Sequence, residues 1–305
     1  MLLAALVTLA ATGGILLSRS RTKQEASLDS VVQLTTDLTR DASQVGLAVT
    51  RISDQREMEI GHEIEAEIAR TGWLKDDSTL QAYVAAVARP LLEHTRRKAI
   101  TYRFHVIGSS EINAFAIPGG GIYVTTGMVD FLNSEAELAA ILGHEISHVD
   151  LKHCVERLQY QVAARKIGGD DIAAIVSLGS FLVGIGYSKQ QELEADAQGV
   201  LFAAAAGYDP TAARAAFQRL ALREPKTHEE KPTFMSGELA VALGKALGQY
   251  FATHPPTEIR IRELKTLYAR NARVWRGRTF YLGRWNYQER IARSRSDEPN
   301  ERRRY

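Results

Sequence analysis

The chain has 305 residues, of which 45% are hydrophobic, and a formal net charge of +2. This composition is typical of a globular protein with one sizeable core, and it lacks the strong overall positive charge that nucleic-acid binding usually needs. Cys154 is the single cysteine, which excludes an internal disulfide bond.

The N-terminal segment is uncharged and apolar for about eighteen residues, MLLAALVTLAATGGILLS. As a helix it would extend about 27 Å, slightly less than the hydrocarbon core of a bilayer. We predict a signal sequence or membrane anchor over residues 1–22, with membrane association through residues 2–18. A buried first helix is the alternative, but so long an uncharged stretch rarely opens a soluble fold.

Residues 23–52 mix charges with scattered apolar side chains and are predicted to form a helical spacer. Two helices follow, the first capped by Ser53 or Asp54 and the second in STLQAYVAAVARPLLEHT. ITYRFHVIG alternates as a strand does, and NAFAIPGGGIYVTTG predicts two short strands joined by a Pro-Gly-Gly-Gly turn.

A longer helix is predicted from Ser134, paired with Glu137 in a capping box, to about Lys166. It carries the stretch LGHEISHVDLKH. His144 and His148 are four residues apart, so they point the same way from a helix and can bind one ion. In zinc hydrolases a carboxylate placed like Glu145 takes a proton from a metal-activated water. The alternative is two unrelated histidines at this spacing.

A third ligand would decide between these interpretations. One known arrangement would place it at position 154, after a glycine turn at position 151, but these residues are Cys154 and Leu151. Without the glycine we expect the helix to continue, which leaves Cys154 and His153 off the ligand face. We therefore expect Cys154 to be a small core or surface residue and His153 to be solvated or capping.

The stretch QELEAD offers carboxylates on a later helix. Glu192 and Asp196 share a face, whereas Glu194 points away from them. The predicted arrangement has Glu192 as a metal ligand and Asp196 behind it, accepting the free N–H of a ligating histidine. A solvated acidic face is the alternative, but the nearly apolar AQGVLFAAAA that follows indicates a buried helix whose carboxylates need partners.

The apolar stretch at residues 171–187, DIAAIVSLGSFLVGIGY, could dip into a membrane. Its three glycines and its short length favour a core helix instead.

Together these motifs resemble those of a known family. His144-Glu145-x-x-His148 and then Glu192-x-x-x-Asp196, preceded by NAFAIPGG and followed by THPP, resemble zinc metallopeptidase family 48. This family contains the CAAX prenyl protease and the HtpX-like and BepA-like envelope proteases. The resemblance covers about residues 53–268. Because the chain has at most one or two apolar segments that could enter a membrane, the envelope proteases are the closer match.

The resemblance implies one Zn²⁺ per chain, bound by His144, His148 and Glu192, with Glu145 as general base and later proton donor. Zinc agrees with the energetics: lowering the pKa of water from 15.7 to about 7 takes on the order of 12 kcal/mol, more than a carboxylate supplies. The resemblance also implies that His254 lies over the metal, where it stabilises the oxyanion or occupies the open position in a resting enzyme. An exposed loop histidine is the alternative.

Four residues of the first short strand, Asn113, Ala114, Phe115 and Ala116, are predicted to bind substrate. An extended peptide can add to a free strand edge through backbone hydrogen bonds, without regard to its sequence. An ordinary hairpin with Phe115 in the core is the alternative.

The C-terminal segment is basic, with eleven arginines against four acidic residues from Arg270 onward, or about +7. We predict a solvated, partly disordered tail over residues 271–305. Contact with anionic lipid or with a partner is the alternative.

We therefore predict a mainly helical α+β protein with a small β-sheet, a zincin of the gluzincin type, whose metallopeptidase domain covers residues 53–270. The predicted function is a zinc endopeptidase of the bacterial cell envelope that cleaves unfolded or misassembled proteins. A chaperone that holds peptides in the same groove, a structural zinc protein and a protein that binds nucleic acid through its basic tail are the alternatives; we expect no nucleic-acid partner. The sequence specifies neither the cleavage preference nor the oligomeric state.

Overall fold

The computed structural model describes residues 52–164, 186–222, 254 and 258–305. Over these ranges the protein is mainly helical with two small β-sheets, which confirms the predicted α+β class. No helix in the described part of the chain is long and apolar enough to cross a bilayer.

Three of the sequence predictions cannot be compared with this structure. The N-terminal leader, the helical spacer and nearly all of the apolar stretch at 171–187 lie outside the described residues. They stay predictions, as do the domain boundaries.

The elements, in chain order, are α1 (Asp54–Arg70), α2 (Ser78–Leu92), β1 (Arg103–Ile107), β2 (Ala114–Ala116), β3 (Gly121–Thr125), α3 (Thr126–Phe131), α4 (Glu135–Asp150), α5 (His153–Ala164), α6 (Lys189–Ala205), α7 (Ala212–Ala221), α8 (Glu258–Trp275), β4 (Thr279–Tyr281), α9 (Arg284–Glu289) and β5 (Arg302–Arg304). Short 3-10 turns cover Pro118–Gly120 and Pro299–Glu301. The two helices and three strands predicted between residues 53 and 127 occur where the sequence indicated them.

The first sheet has the strand order β1-β3-β2, with β1 parallel and β2 antiparallel to β3. β2 is therefore an edge strand, and it also packs on α4. Its hydrogen bonds to β3 involve Asn113 and Ile117, at alternate residues. The backbone groups of Ala114 and Ala116 consequently point away from β3, toward the outer edge of the sheet.

Helix α4 runs through the centre of the core, and all of its residues are buried. Ser134 begins it, since its hydroxyl accepts a hydrogen bond from the N–H of Glu137. The carboxylate of Glu137 accepts a hydrogen bond from the N–H of Asn133 rather than from that of Ser134. The predicted capping box is therefore wrong in its second hydrogen bond.

The prediction that this helix continues to about Lys166 is also wrong. α4 ends at Asp150, Lys152 takes the left-handed conformation with φ 66°, and α5 begins at His153. This conformation costs a non-glycine residue about 1 to 2 kcal/mol. The ammonium group of Lys152 ion-pairs with Asp54, 3.1 Å away, which helps to hold the turn. The turn redirects the chain and brings His153 back toward α4.

Helices α4 and α6 cross at a contact between two glycines. A Cβ atom on Gly143 would lie 2.8 Å from the carbonyl oxygen of Gly199, and a Cβ on Gly199 would lie 2.7 Å from the backbone nitrogen of His144. Both distances are shorter than real Cβ contacts, so neither position accepts any other residue without a shift of the backbone. The two helices therefore approach closely enough for their polar side chains to meet.

The disorder expected of the basic C-terminal segment is wrong for residues 279–305. β4 and β5 pair antiparallel, and Phe280, Tyr281 and Tyr287 are buried. The carbonyl groups of Leu282 and Gly283 accept hydrogen bonds from N–H groups in the first turn of α4. These N–H groups have no partner within the helix itself, so this segment completes the start of α4.

We expect Gly199→Ala to destabilise the protein by about 1 to 3 kcal/mol, because the added methyl group has no space. Helix propensity alone predicts the opposite, a gain of about 1 kcal/mol. Ala197→Gly on the partly exposed side of the same helix is the control for propensity. The free energy of unfolding in denaturant measures both effects, and a Gly199→Ala protein that is more stable than wild type would contradict the close crossing.

Candidate metal centre

Helix α4 presents two imidazoles and one carboxylate to the interior. Because His144 and His148 lie one turn apart, their Nε2 atoms approach to 3.1 Å. Glu145, between them in sequence, is completely buried, and neither of its carboxylate oxygens has a hydrogen-bond partner among the described residues.

Two further side chains converge on the same point. Glu192, on α6, places Oε1 3.5 Å from Nε2 of His148 and Oε2 3.6 Å from Nε2 of His144. His254 places Nδ1 2.9 Å from Oε1 of Glu192 and 3.2 Å from Nε2 of His144. One ligand atom from each of these four residues lies within 4.8 Å of every other.

The spacing of this cluster fits a metal ion. Around a tetrahedral ion bound at about 2.05 Å, neighbouring ligand atoms lie about 3.3 Å apart. The five separations given above are 2.9 to 3.6 Å, and the four ligand atoms all lie within 4.8 Å of one another. The carboxylates of Glu192 and Asp196 share the guanidinium of Arg260, so together they carry one formal negative charge more than that side chain balances. A buried negative charge needs compensation, and a bound cation supplies it.

Asp196 and Arg260 support the cluster from behind. Oδ1 of Asp196 lies 2.9 Å from Nδ1 of His144. The guanidinium of Arg260 contacts both oxygens of Asp196 at 2.7 Å and Oε2 of Glu192 at 2.8 Å. Sequence analysis assigned no role to Arg260. Its position six residues after His254 was the only sequence signal, and its partners become evident only when α8 is packed on α6.

These contacts shift the pKa values of the site. Burial acts to raise the pKa of Glu192, but the positive charges of His254 and Arg260 outweigh it and hold that pKa well below its usual range. The pKa of Asp196 is likewise lowered, because the charge of Arg260 outweighs burial. Burial acts to lower the pKa of His144, but the hydrogen bond to Asp196 and the charge of Glu192 raise it. The carboxylates are thus ionised and favour positive charge between them.

His148 lies in a different environment. The ring of Tyr187 stacks on it, with centroids 3.6 Å apart, and Arg157 covers the other side of Tyr187. Burial lowers the pKa of His148 well below its usual value, so its imidazole is neutral. A neutral imidazole is the form that binds a metal.

The expectation of a solvated His153 is wrong. Only 2% of this residue is exposed, and its Nδ1 lies 3.0 Å from Nδ1 of His148. Burial lowers the pKa of His153 to about 4. Cys154 is a fully buried core residue, and its thiol contacts the hydroxyl of Tyr187. Both positions follow from the turn at Lys152, which the sequence did not reveal.

The predicted substrate strand packs on α4, the helix that carries His144 and His148, and is buried. Residues 113–116 are all at least 97% buried, and Phe115 stacks on Tyr123 of β3. Phe115 thus belongs to the core, as the hairpin alternative expected. The outer edge of β2 has no strand paired with it among the described residues.

Comparison with known proteins now bears on this arrangement. The model of peptidase family M48 matches residues 76–268, more than half of the chain. The chain belongs to peptidase family M48. The matched region includes all four residues of the cluster, together with Glu145, Asp196 and Arg260.

Three relatives illustrate the range of this family. The mitochondrial metalloendopeptidase OMA1 of Arabidopsis thaliana is 27% identical over 221 residues, 68% of this chain and 41% of that protein. OMA1 of Schizosaccharomyces pombe is 28% identical over 190 residues, 60% of this chain and 51% of that protein. The beta-barrel assembly-enhancing protease of Escherichia coli K12 is 27% identical over 182 residues, 54% of this chain and 37% of that protein. The chain spans about half or less of the length of these relatives.

We expect Arg260→Met to lower the free energy of unfolding by about 3 to 5 kcal/mol, because it leaves two buried carboxylates without their cation. Arg219→Met is the matched control, since it removes a paired arginine whose side chain is 32% exposed. We expect that loss to be about 1 kcal/mol. Equal losses for the two variants in denaturant unfolding would contradict a special role for Arg260.

Proposed function

We propose that this chain is a zinc endopeptidase. The observation that carries the proposal is the convergence of two histidines, a glutamate and a third histidine on one point, beside a buried carboxylate with no hydrogen-bond partner among the described residues. Two imidazoles and one glutamate are the ligand set of many catalytic zinc sites. Membership of peptidase family M48 supports the same activity.

His144, His148 and Glu192 would hold the zinc ion. When bound, zinc supplies a Lewis acid that polarises the peptide carbonyl and lowers the pKa of a water molecule from 15.7 to about 7. Oδ1 of Asp196 lies 2.9 Å from Nδ1 of His144, where it would accept the Nδ1–H and so keep the lone pair of Nε2 directed at the cluster. Arg260 holds the carboxylates of Asp196 and Glu192 in place.

Glu145 would act as general base and then as general acid. Its carboxylate oxygens are buried and ready to accept a proton from the attacking water. The same carboxyl group then returns the proton to the leaving amine nitrogen. Because the site excludes solvent, this proton is exchanged between Glu145 and the reacting groups rather than with bulk water.

His254 would occupy the open position of the resting enzyme. Its Nδ1 faces Glu192 and His144, and its Nε2 lies 3.5 Å from Oε1 of Glu145. The residue is completely buried, so it covers both the metal ligands and the base. Substrate would have to displace it before the peptide bond could reach Glu145.

Residues 113–116 would bind the substrate backbone. The N–H and C=O groups of Ala114 and Ala116 point to the outer edge of β2, which suits the addition of an extended peptide. Such binding depends on the backbone of the peptide rather than on its side chains, so unfolded or misassembled proteins are the proposed substrates. One of the relatives is named a beta-barrel assembly-enhancing protease, and a role in assembly is compatible with substrates of this class.

The bacterial envelope is the proposed location, on the basis of the apolar segment at residues 1–22. The names of the relatives point to more than one compartment, since OMA1 is described as mitochondrial. A protein that holds peptides and seldom cleaves them is the second candidate function. The deep burial of the centre beneath His254 is the observation that favours it.

We expect Glu145→Gln to lower the rate of casein cleavage about 10²- to 10⁴-fold while zinc and peptide binding persist, because Glu145 is not in the ligand set. A chelator should abolish cleavage by the wild type, and added zinc should restore it. Glu59→Gln, at an exposed position on α1, is the control. Cleavage that survives both the substitution and the chelator would disprove the proposal. A cellular phenotype unaffected by Glu145→Gln would favour the holding function.

We expect His254→Ala to raise the rate of peptide cleavage, because the substitution uncovers the position that substrate must enter. The variant should also bind zinc more weakly, since one of four candidate ligands is lost. Steady-state kinetics on a fluorogenic peptide separates the alternatives. A fall of about 10²- to 10³-fold in kcat would show instead that His254 stabilises the oxyanion.

A further inference from the structure

The turn after α4 places a second histidine directly behind one of the candidate ligands. Nδ1 of His153 lies 3.0 Å from Nδ1 of His148, the ring nitrogen that faces away from the cluster. Nε2 of His153 lies 3.2 Å from Oε2 of Glu194 on α6. The other oxygen of Glu194 accepts a 2.7 Å hydrogen bond from the amide of Gln190, one turn earlier on the same helix.

These contacts form a series from His148 through His153 to Glu194. The carboxylate of Glu194, at the outer end, decides which atom donates and which accepts in each hydrogen bond. An ionised carboxylate only accepts, so Nε2 of His153 carries the proton that faces Glu194. In a neutral imidazole the other nitrogen then has a lone pair, so Nδ1 of His153 accepts. Nδ1 of His148 must therefore donate, which leaves the lone pair of His148 on Nε2, toward His144 and Glu192.

We propose that His153 and Glu194 are positioning residues that fix the tautomer and ring orientation of His148 for metal binding. This inference rests on the proposed function, because it requires His148 to be a ligand. The other histidine of α4 also has a carboxylate beside the ring nitrogen that faces away from the cluster, since Oδ1 of Asp196 lies 2.9 Å from Nδ1 of His144. Each imidazole of the HExxH motif is thus held by a carboxylate of α6, Asp196 directly and Glu194 through His153.

The arrangement also explains a difference between the three carboxylates of α6. Glu192 and Asp196 are buried, whereas the side chain of Glu194 is 45% exposed. A carboxylate in contact with water cannot be a buried ligand. It can orient a buried histidine that it contacts from the surface, as Glu194 contacts His153. Glu194 therefore serves the site from the surface of the protein, where its substitution leaves the core intact.

The test measures zinc affinity of the full chain, by competition of the metal-free protein with a chromophoric chelator. We expect His153→Leu to weaken zinc binding by about 10- to 100-fold, because an apolar side chain cannot accept from His148. His153→Gln should recover most of the affinity, since its amide oxygen can accept the same hydrogen bond. Glu194→Gln should weaken binding by less than His153→Leu, because an amide allows either tautomer of His153.

Glu156→Gln is the matched control. Glu156 accepts a 3.0 Å hydrogen bond from the amide of Gln191, so it joins α5 to α6 as His153 and Glu194 do, but Gln191 is not one of the candidate ligands. We expect its zinc affinity to equal that of wild type. The melting temperature of each metal-free variant reports structural damage separately from affinity. If His153→Leu fails to fold, the exposed Glu194→Gln variant decides the question.

Wild-type zinc affinity in both His153→Leu and Glu194→Gln would overturn the inference. So would a loss of zinc affinity in Glu156→Gln as large as that in His153→Leu. An equal loss in His153→Gln and His153→Leu would also overturn it, because the acceptor would then be irrelevant. Failure of the proposed function looks different. In that case the wild type itself would bind no zinc, or His148→Leu would bind it as the wild type does.

Discussion

The close crossing of α4 and α6 at Gly143 and Gly199 is the constraint on which the site depends. Helix α4 supplies His144 and His148, and α6 supplies Glu192 and Asp196. The separation of the two helix axes therefore decides whether these side chains meet. A single methyl group at the crossing would contact backbone on the opposite helix. Backbone-to-backbone contact of this kind fixes the separation more rigidly than interdigitated side chains, which can change rotamer.

The second constraint is the burial of charge. Three carboxylates, an arginine and three histidines lie within a core whose neighbouring residues are apolar. Such a group is stable only when each charge has a partner, which explains why Arg260 contacts both Glu192 and Asp196. The same arrangement lowers the pKa values of Glu192 and Asp196, so these two carboxylates stay ionised and attract a cation. Stability of the core and affinity for a metal thus have the same electrostatic origin.

Local sequence signals predicted most of the fold and the residues that meet in the site. Most helices and strands were predicted from helical periodicity, from the caps at Ser53 and Ser134 and from the turn glycines. The i, i+4 spacings in α4 and α6 predicted which side chains share a helix face. The turn at Lys152 was missed because a left-handed lysine has no sequence signature and is held by a distant ion pair. The role of His153 was missed with it. The folded C-terminal segment was missed because its many arginines indicated a solvated tail. The burial of Phe280, Tyr281 and Tyr287 depends on tertiary contacts, which the local sequence does not show.

The C-terminal segment also sets the order in which the candidate metal centre can form. The backbone N–H groups at the start of α4 find their acceptors in Leu282 and Gly283, roughly 150 residues later in the chain. During synthesis the HExxH motif leaves the ribosome long before these acceptors exist. A nascent chain therefore contains the candidate ligands before the N–H groups in the first turn of α4 have their hydrogen-bond acceptors. The candidate metal centre is complete only after Leu282 and Gly283 have been synthesised and have packed against the start of α4.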